Sequence, residues 1–278
     1  MKASKDDKVI VIRRGDQVAL KYLHGGVPYK PYVSEFATPS GVNVLRDAPA
    51  DHLHHHGLMF AITIDGVNFW EEAKTPGTEK TRDISEPQLD GKTKAIAFRE
   101  TLDWIGPEGG KVLAVEERMI ALDGAIENVS LLTWWSTFSL PAGKDSAKLT
   151  GTHYHGLGMR FLESMDKGEG FLNAEGGKGV EGTNDKRSLW CAYSASAEGK
   201  PVTVSCFDHP KNHRHPATWF TMNTPFSYIS ATLNLSKEPF ELKGKDKLPL
   251  RYGVALWDGE VGAEEIGKVY EQWIKLYP

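Results

Sequence analysis

Short runs of β-type residues, each closed off by Gly, Pro, Asn or Asp, recur along nearly the whole chain, and this rhythm admits few folds. Val9-Ile10-Val11-Ile12, Val18-Ala19-Leu20-Lys21-Tyr22, Ala95-Ile96-Ala97-Phe98, Val112-Leu113-Ala114-Val115, Val202-Thr203-Val204-Ser205-Cys206 and Tyr228-Ile229-Ser230-Ala231-Thr232-Leu233 are all of strand length. The stretch 125–140 carries Ile126, Val129, Leu131, Trp134, Trp135 and Phe138, whose spacing fits a helix or a strand; its β-branched and aromatic content favours the strand. Only 263–277 has a convincing helical period. There Ile266, Val269, Tyr270, Trp273, Ile274 and Tyr277 recur at three- and four-residue steps, and Glu264 with Lys268, and Glu271 with Lys275, are spaced to pair. The expected fold is all-β: a large antiparallel two-sheet β-sandwich with a C-terminal helix laid on the sheets. With 278 residues and no repeat or linker, the chain reads as one domain, 1–278. The glycine-rich segment 175–182 lacks the setting of a phosphate loop and reads as a long mobile loop.

A net charge of −4 and a pI near 6.2, with the lysines and arginines scattered among acids, leave no basic footprint, so no nucleic-acid partner is expected. No apolar run approaches the roughly 20 residues that cross a bilayer, and the first residues are polar, so no membrane partner and a cytoplasmic location are expected. Symmetric pairing about a turn near Glu198-Gly199-Lys200 sets Cys191 opposite Cys206. Two reduced, buried thiols are expected, because a chain this long needs no staple.

The sharpest chemical feature is Asp51-His52-Leu53-His54-His55-His56-Gly57, four of the ten histidines within five residues, directly before the apolar run Leu58-Met59-Phe60-Ala61-Ile62-Thr63-Ile64. Imidazole titrates near neutral pH and binds metals as the neutral ring. Asp65-Gly66 is the preferred dipeptide of a two-residue hairpin, which sets Ile62 opposite Phe69 and Phe60 opposite Glu71. A straight strand back through Gly57 then puts His54, His56 and Glu71 on one face, with Glu71 about 10–15 Å along from His56.

Two further segments share this chemistry. Thr152-His153-Tyr154-His155-Gly156-Leu157-Gly158-Met159-Arg160-Phe161 carries His153 and His155 at i and i+2, then Arg160, whose fork of donors suits a carboxylate or hydroxyl-rich ligand. Asp208-His209-Pro210-Lys211-Asn212-His213-Arg214-His215-Pro216 closes a strand, and Trp219 just beyond it is the tryptophan best placed to stack on a sugar. No Gly-x-Ser-x-Gly elbow is present, which disfavours a serine nucleophile.

Tyr29-Lys30-Pro31-Tyr32, 51–57, Asp65-Gly66-Val67-Asn68-Phe69-Trp70, Gly156-Leu157-Gly158-Met159-Arg160 and 208–219 together resemble a bacterial family labelled methane oxygenase PmoA-like, from about Tyr29 to about Trp257. The resemblance implies a soluble protein with a bearing on carbohydrate metabolism. The strand succession also looks like the supersandwich of galactose mutarotases, a likeness of fold that bears weakly on function.

The sequence therefore predicts a carbohydrate-active protein that moves a proton on a sugar or oxidised sugar derivative, as an epimerase, mutarotase or lyase. His54, His56, Glu71 and Asp208 are the candidate acid–base groups, and His52, His55, His153, His155, Arg160, His209, Asn212, Arg214, His215 and Trp219 the candidate binding groups. All three segments are expected to converge on one concave site. The partner is a small carbohydrate and no cofactor is expected, while the oligomeric state stays open. Two alternatives remain: a carbohydrate-binding sandwich without chemistry, and a metal-dependent oxygenase or lyase with a divalent ion on His52, His54 and His56.

Overall fold

Strand after strand in this chain sends alternate residues to opposite faces, one of them turned into the core between two large sheets, and that alternation builds the architecture. The computed structural model describes residues 1–72, 74–91 and 93–278. One nine-stranded antiparallel sheet runs, edge to edge, through 2–5, 9–14, 17–23, 32–36, 58–61, 156–160, 228–232, 218–222 and 186–187. A second runs through 170–173, 190–197, 200–208, 248–258, 130–139, 112–123, 96–105 and 78–84, with 88–89 paired beside 96–105. A small sheet of 240–243, 146–150, 63–64 and 67–68 flanks them.

The two large sheets bury their facing residues against each other: Phe60 of the first meets Trp104 and Phe138 of the second, with ring centroids 6.3 and 5.5 Å apart. A fully buried side chain of this size contributes roughly 1.5–3 kcal/mol. The ambiguous stretch 125–140 resolves into strand Ser130–Ser139, as its composition predicts. It reads as apolar throughout because Leu132 and Trp134 enter the central core while Leu131 faces the helix on the other side. That helix, Ala263–Leu276, lays Ile266, Val269, Tyr270 and Trp273 on the outer face of the second sheet against Trp190, Phe207 and Trp257. Lys268 bonds Glu264 at 2.7 Å.

Cys191 and Cys206 stand opposite each other across strands Trp190–Ala197 and Lys200–Asp208, both buried and unbridged. The glycine-rich segment is better ordered than expected. It contains a short helix, Gly179–Thr183, and the Asn173 side chain clips it by accepting from Gly177 N at 2.8 Å and donating to Gly182 O at 3.2 Å.

Between the sheets lies a polar cluster that the sequence analysis does not anticipate. Arg118, fully buried, donates to both oxygens of Glu116 at 2.8 Å, to Glu79 at 3.1 Å, to Tyr22 Oη at 3.0 Å and to Pro31 O at 3.2 Å, and it sits 4.5 Å over the Trp134 ring. Trp104 and Ser136 also donate to Glu116, and Tyr22 and Thr81 to Glu100. Burial, only partly opposed by Arg118, pushes the Glu79 carboxyl up to about 8, so it keeps its proton at neutral pH. One guanidinium is thus the counter-ion for a site of three acids. Replacing it, as Arg118→Met, is expected to cost about 3–5 kcal/mol in urea unfolding, because the acids would stay buried without it. A cost under about 1 kcal/mol, the range of exposed pairs, would show that the cluster does not lock the sheets.

Candidate functional site

The floor of the site follows from a two-residue period in three neighbouring strands. Gly158 pairs with Ser230, and Arg160 with Tyr228, while Phe220 and Met222 oppose the same two residues from the next strand. These residues therefore share the face turned away from the sandwich core, and the alternates Leu157, Met159, Ile229 and Ala231 enter the core. Gly158 must lack a side chain, since a Cβ there would lie 2.3 Å from Tyr228 Oη.

The histidine run does not continue the strand that follows it. Strand Leu58–Ala61 starts after Gly57, which has φ of +37° and approaches strand Tyr32–Phe36 so closely that a Cβ would lie 2.2 Å from Val33 O. Before it the chain turns, with His52 N bonded to Pro49 O and His55 N to His52 O, both at 2.9 Å. The predicted common face of His54, His56 and Glu71 is corrected for this reason. The hairpin holds its expected register, with Thr63 opposite Asn68 and Phe69 N bonded to Ile62 O, but Phe60 pairs with Leu157 instead of Glu71.

The turn and the 70–72 segment sort the imidazoles onto different carboxylates. His56 is buried, with Nδ1 2.9 Å from Asp47 and Nε2 2.9 Å from Glu72. Tyr32 stacks on its ring at 4.3 Å and bonds Asp47, and Lys30 bonds both Glu72 and the Trp70 carbonyl. Burial alone would lower the His56 value, but the two carboxylate bonds prevail and raise it. His54 instead points Nε2 at Glu71, 3.3 Å away, and the other Glu71 oxygen accepts from Tyr154 Oη at 3.1 Å. Burial, only partly offset by Glu71, lowers His54 below the usual imidazole range, so the ring is neutral at neutral pH.

His54, Glu71 and Tyr154 stand at a cleft of about 430 Å³ whose floor is Phe220, Met222 and Tyr228 and whose walls include His52, His55, Trp70, His153 and Phe226. His55 packs beside His52 and His54, with ring centroids 4.7 and 4.6 Å away, and burial drives it down to about 2. His155 stacks on Trp70 at 5.1 Å and is driven down to about 3, again by burial. Arg160 lies beneath, 2% exposed, with its guanidinium 3.5 Å from the Phe226 ring centre and Nη2 3.7 Å from Asp51.

A family model matches residues 9–271. The chain belongs to DUF6807, a family of unknown function. The resemblance to the PmoA-like family is corrected accordingly, since the matching model is that of DUF6807. No curated protein matches the sequence. Among solved structures, this DUF6807 chain is similar to the GH36 alpha-galactosidases AgaB and AgaA from Geobacillus stearothermophilus, with TM-scores of 0.55 and 0.51 at 12% and 9% identity. The alignments cover 93% of this chain and 41% and 40% of theirs, so it spans about two fifths of their length. At this identity the likeness is one of fold alone, a large antiparallel β-sandwich.

The DUF6807 structure brings the first two sequence segments together and leaves the third apart. Asp208, buried, accepts from Asn212 at 2.7 Å, His215 at 2.7 Å and Ala217 N at 2.9 Å, which uses both of its oxygens inside its own loop. His209 bridges Tyr277 O and Lys211 N, and Arg214 donates to Leu233 O and Glu238 O. This segment ties the crossover between sheets to the C-terminal helix. Trp219 is turned inward, 1% exposed with its indole donating to Ser188 O, because the two-residue period hands the cleft to Phe220. Among the described residues no three His, Cys, Asp or Glu side chains are arranged to hold a metal ion, and His56, one of the expected ligands, already has both nitrogens on carboxylates. Phe220, Tyr228, Phe226 and Tyr154 went unpredicted; for Phe220, carrying the strand alternation one residue past Trp219 was the signal available.

Because His56 sits above its ordinary value of 6.5, its stabilising effect is complete below that pH and fades as pH rises through the raised value. The melting-temperature gap between the native protein and His56→Gln should therefore be wider at about pH 6 than at about pH 9. A gap that stays constant would show a neutral His56.

Proposed function

We propose that the cleft binds a sugar or oxidised sugar derivative and moves a proton on it, as an epimerase, mutarotase or lyase does. The observation that carries this reading is the chain His54–Glu71–Tyr154 at the rim of an aromatic cleft. With Nε2–H committed to Glu71, the neutral His54 ring keeps its lone pair on Nδ1, where it can take a proton. Glu71 then stabilises the imidazolium that forms, and Tyr154, bonded to the same carboxylate, is the paired acid. Phe220, only partly buried in the cleft floor, supplies a face on which the apolar side of a sugar ring packs. The sandwich shared with the alpha-galactosidases AgaB and AgaA is consistent with a carbohydrate ligand and leaves the reaction to the site itself.

His56 and Asp208 have different work in this reading: His56 positions Glu72 and the cleft wall, and Asp208 holds its loop. The test is saturation-transfer NMR with a panel of monosaccharides, paired with proton exchange or anomeric interconversion in deuterated water. His54→Gln is expected to slow turnover by roughly 10²–10⁴-fold while binding and melting temperature are retained. Unchanged turnover in that variant removes His54 from the chemistry, and absence of binding by every sugar in the panel removes the carbohydrate reading.

A further inference from the structure

The strongest unspent chemistry in the molecule is the guanidinium of Arg160. It is 2% exposed, yet Nε and Nη1 have no hydrogen-bond partner, and Nη2 reaches only to 3.7 Å from Asp51. The other fully buried arginine, Arg118, has every nitrogen bonded. Leaving a buried donor unpaired costs about 1–3 kcal/mol, and more for a charged group, so an arginine kept this way calls for an acceptor.

The surroundings of Arg160 are rich in further donors. Its cross-strand partner Tyr228 has a buried, unpaired hydroxyl, and His55, whose ring centre lies 5.2 Å from that of Tyr228, has an unpaired Nδ1. Ser230, one step along the same face, also has a hydroxyl without a partner. Of the two acids whose charge Arg160 feels, Asp166 spends an oxygen on Ser227 N at 2.7 Å. Asp51 is different. Its side chain is half exposed, it is already held by His52 Nδ1 at 3.0 Å, and it approaches Arg160 without closing a hydrogen bond. His52, which holds Asp51, and Phe226, whose ring lies over the guanidinium, both line the cleft, so Asp51 and Arg160 sit directly behind its wall.

We infer that the cleft is selective for a sugar bearing one carboxylate, a uronate or related sugar acid, whose carboxylate takes the place beside Arg160 that Asp51 holds in this structure. The inference rests on the carbohydrate reading above and names its substrate class. A carboxylate that displaces Asp51 leaves the charge beside Arg160 unchanged, whereas a phosphate dianion would add a negative charge with Asp166 already nearby, which favours the carboxylate. Arg160 is a binding residue here, not a proton-transfer group. Its carboxylate contact orients the ligand while His54 and Glu71 act on the proton.

The experiment is calorimetric titration of the full chain with pairs differing only at C6, glucuronate against glucose and galacturonate against galactose, with glucose 6-phosphate as a third arm. At least one uronate is expected to bind roughly tenfold or more tighter than its neutral partner, as charge-assisted hydrogen bonds imply. Arg160→Met should abolish that preference. Since a core variant can lose its fold, Asp51→Asn, at a half-exposed position, carries the test independently: with the competing carboxylate gone, uronate affinity should rise about threefold or more and neutral-sugar affinity stay level. Equal affinity for acid and neutral sugars, a preference that survives Arg160→Met, or weaker uronate binding in Asp51→Asn overturns the inference while the carbohydrate reading stands. Tighter binding of the phosphate overturns the choice of carboxylate. Failure of every sugar to bind overturns both.

Discussion

The position of one buried guanidinium governs much of this molecule. Arg118 belongs to the second sheet, but its partner Tyr22 belongs to the first and its partner Pro31 O immediately precedes the first sheet's strand Tyr32–Phe36, so it ties the two sheets together. Such a cluster is worth little as net stability against an apolar core of equal volume, but breaking it is expensive, and that asymmetry enforces one register. Pro31 stands between Lys30 and Tyr32, which both reach the site: Lys30 bonds Glu72 and Trp70 O, and Tyr32 bonds Asp47 and stacks on His56. Three consecutive residues thus connect the lock between the sheets to the wall of the cleft.

The four clustered histidines show how environment assigns chemistry to identical side chains. His56, between two carboxylates, favours the imidazolium and is a bolt in the wall. His54, at the rim with Glu71, is neutral and has a lone pair to use. His55 is buried deeply enough that protonation is excluded across the physiological range, and His52 holds Asp51. Their order along the chain carries none of this; the turn 49–56 and the left-handed Gly57 decide which ring meets which acid.

The β-sandwich that the DUF6807 chain shares with two alpha-galactosidases is a likeness of fold alone, and the alignment spans only about two fifths of those proteins. Function has to be argued from the cleft. There, aromatic side chains, a neutral histidine on a carboxylate and, behind the wall, an arginine with unpaired donors are three different kinds of contact gathered in one region.

Much of the fold was legible in the residues. Strand-length runs cut by turn formers, the Asp65-Gly66 hairpin with its register, the opposition of Cys191 and Cys206, and the amphipathic helix after 262 are set by local rules of period and turn geometry, and the structure follows them. The site was legible in part: imidazoles, Glu71 and Arg160 announce chemistry by their type. Tertiary structure alone decided that Asp208 and its neighbours serve a loop, that Phe220 faces the cleft in place of Trp219, and that Arg118 meets Tyr22 across the sandwich. The physical reason is common to all three. Local pattern sets which way a side chain points from its own strand, but which partner waits there, and how much water is left between them, depends on chain that lies tens of residues away.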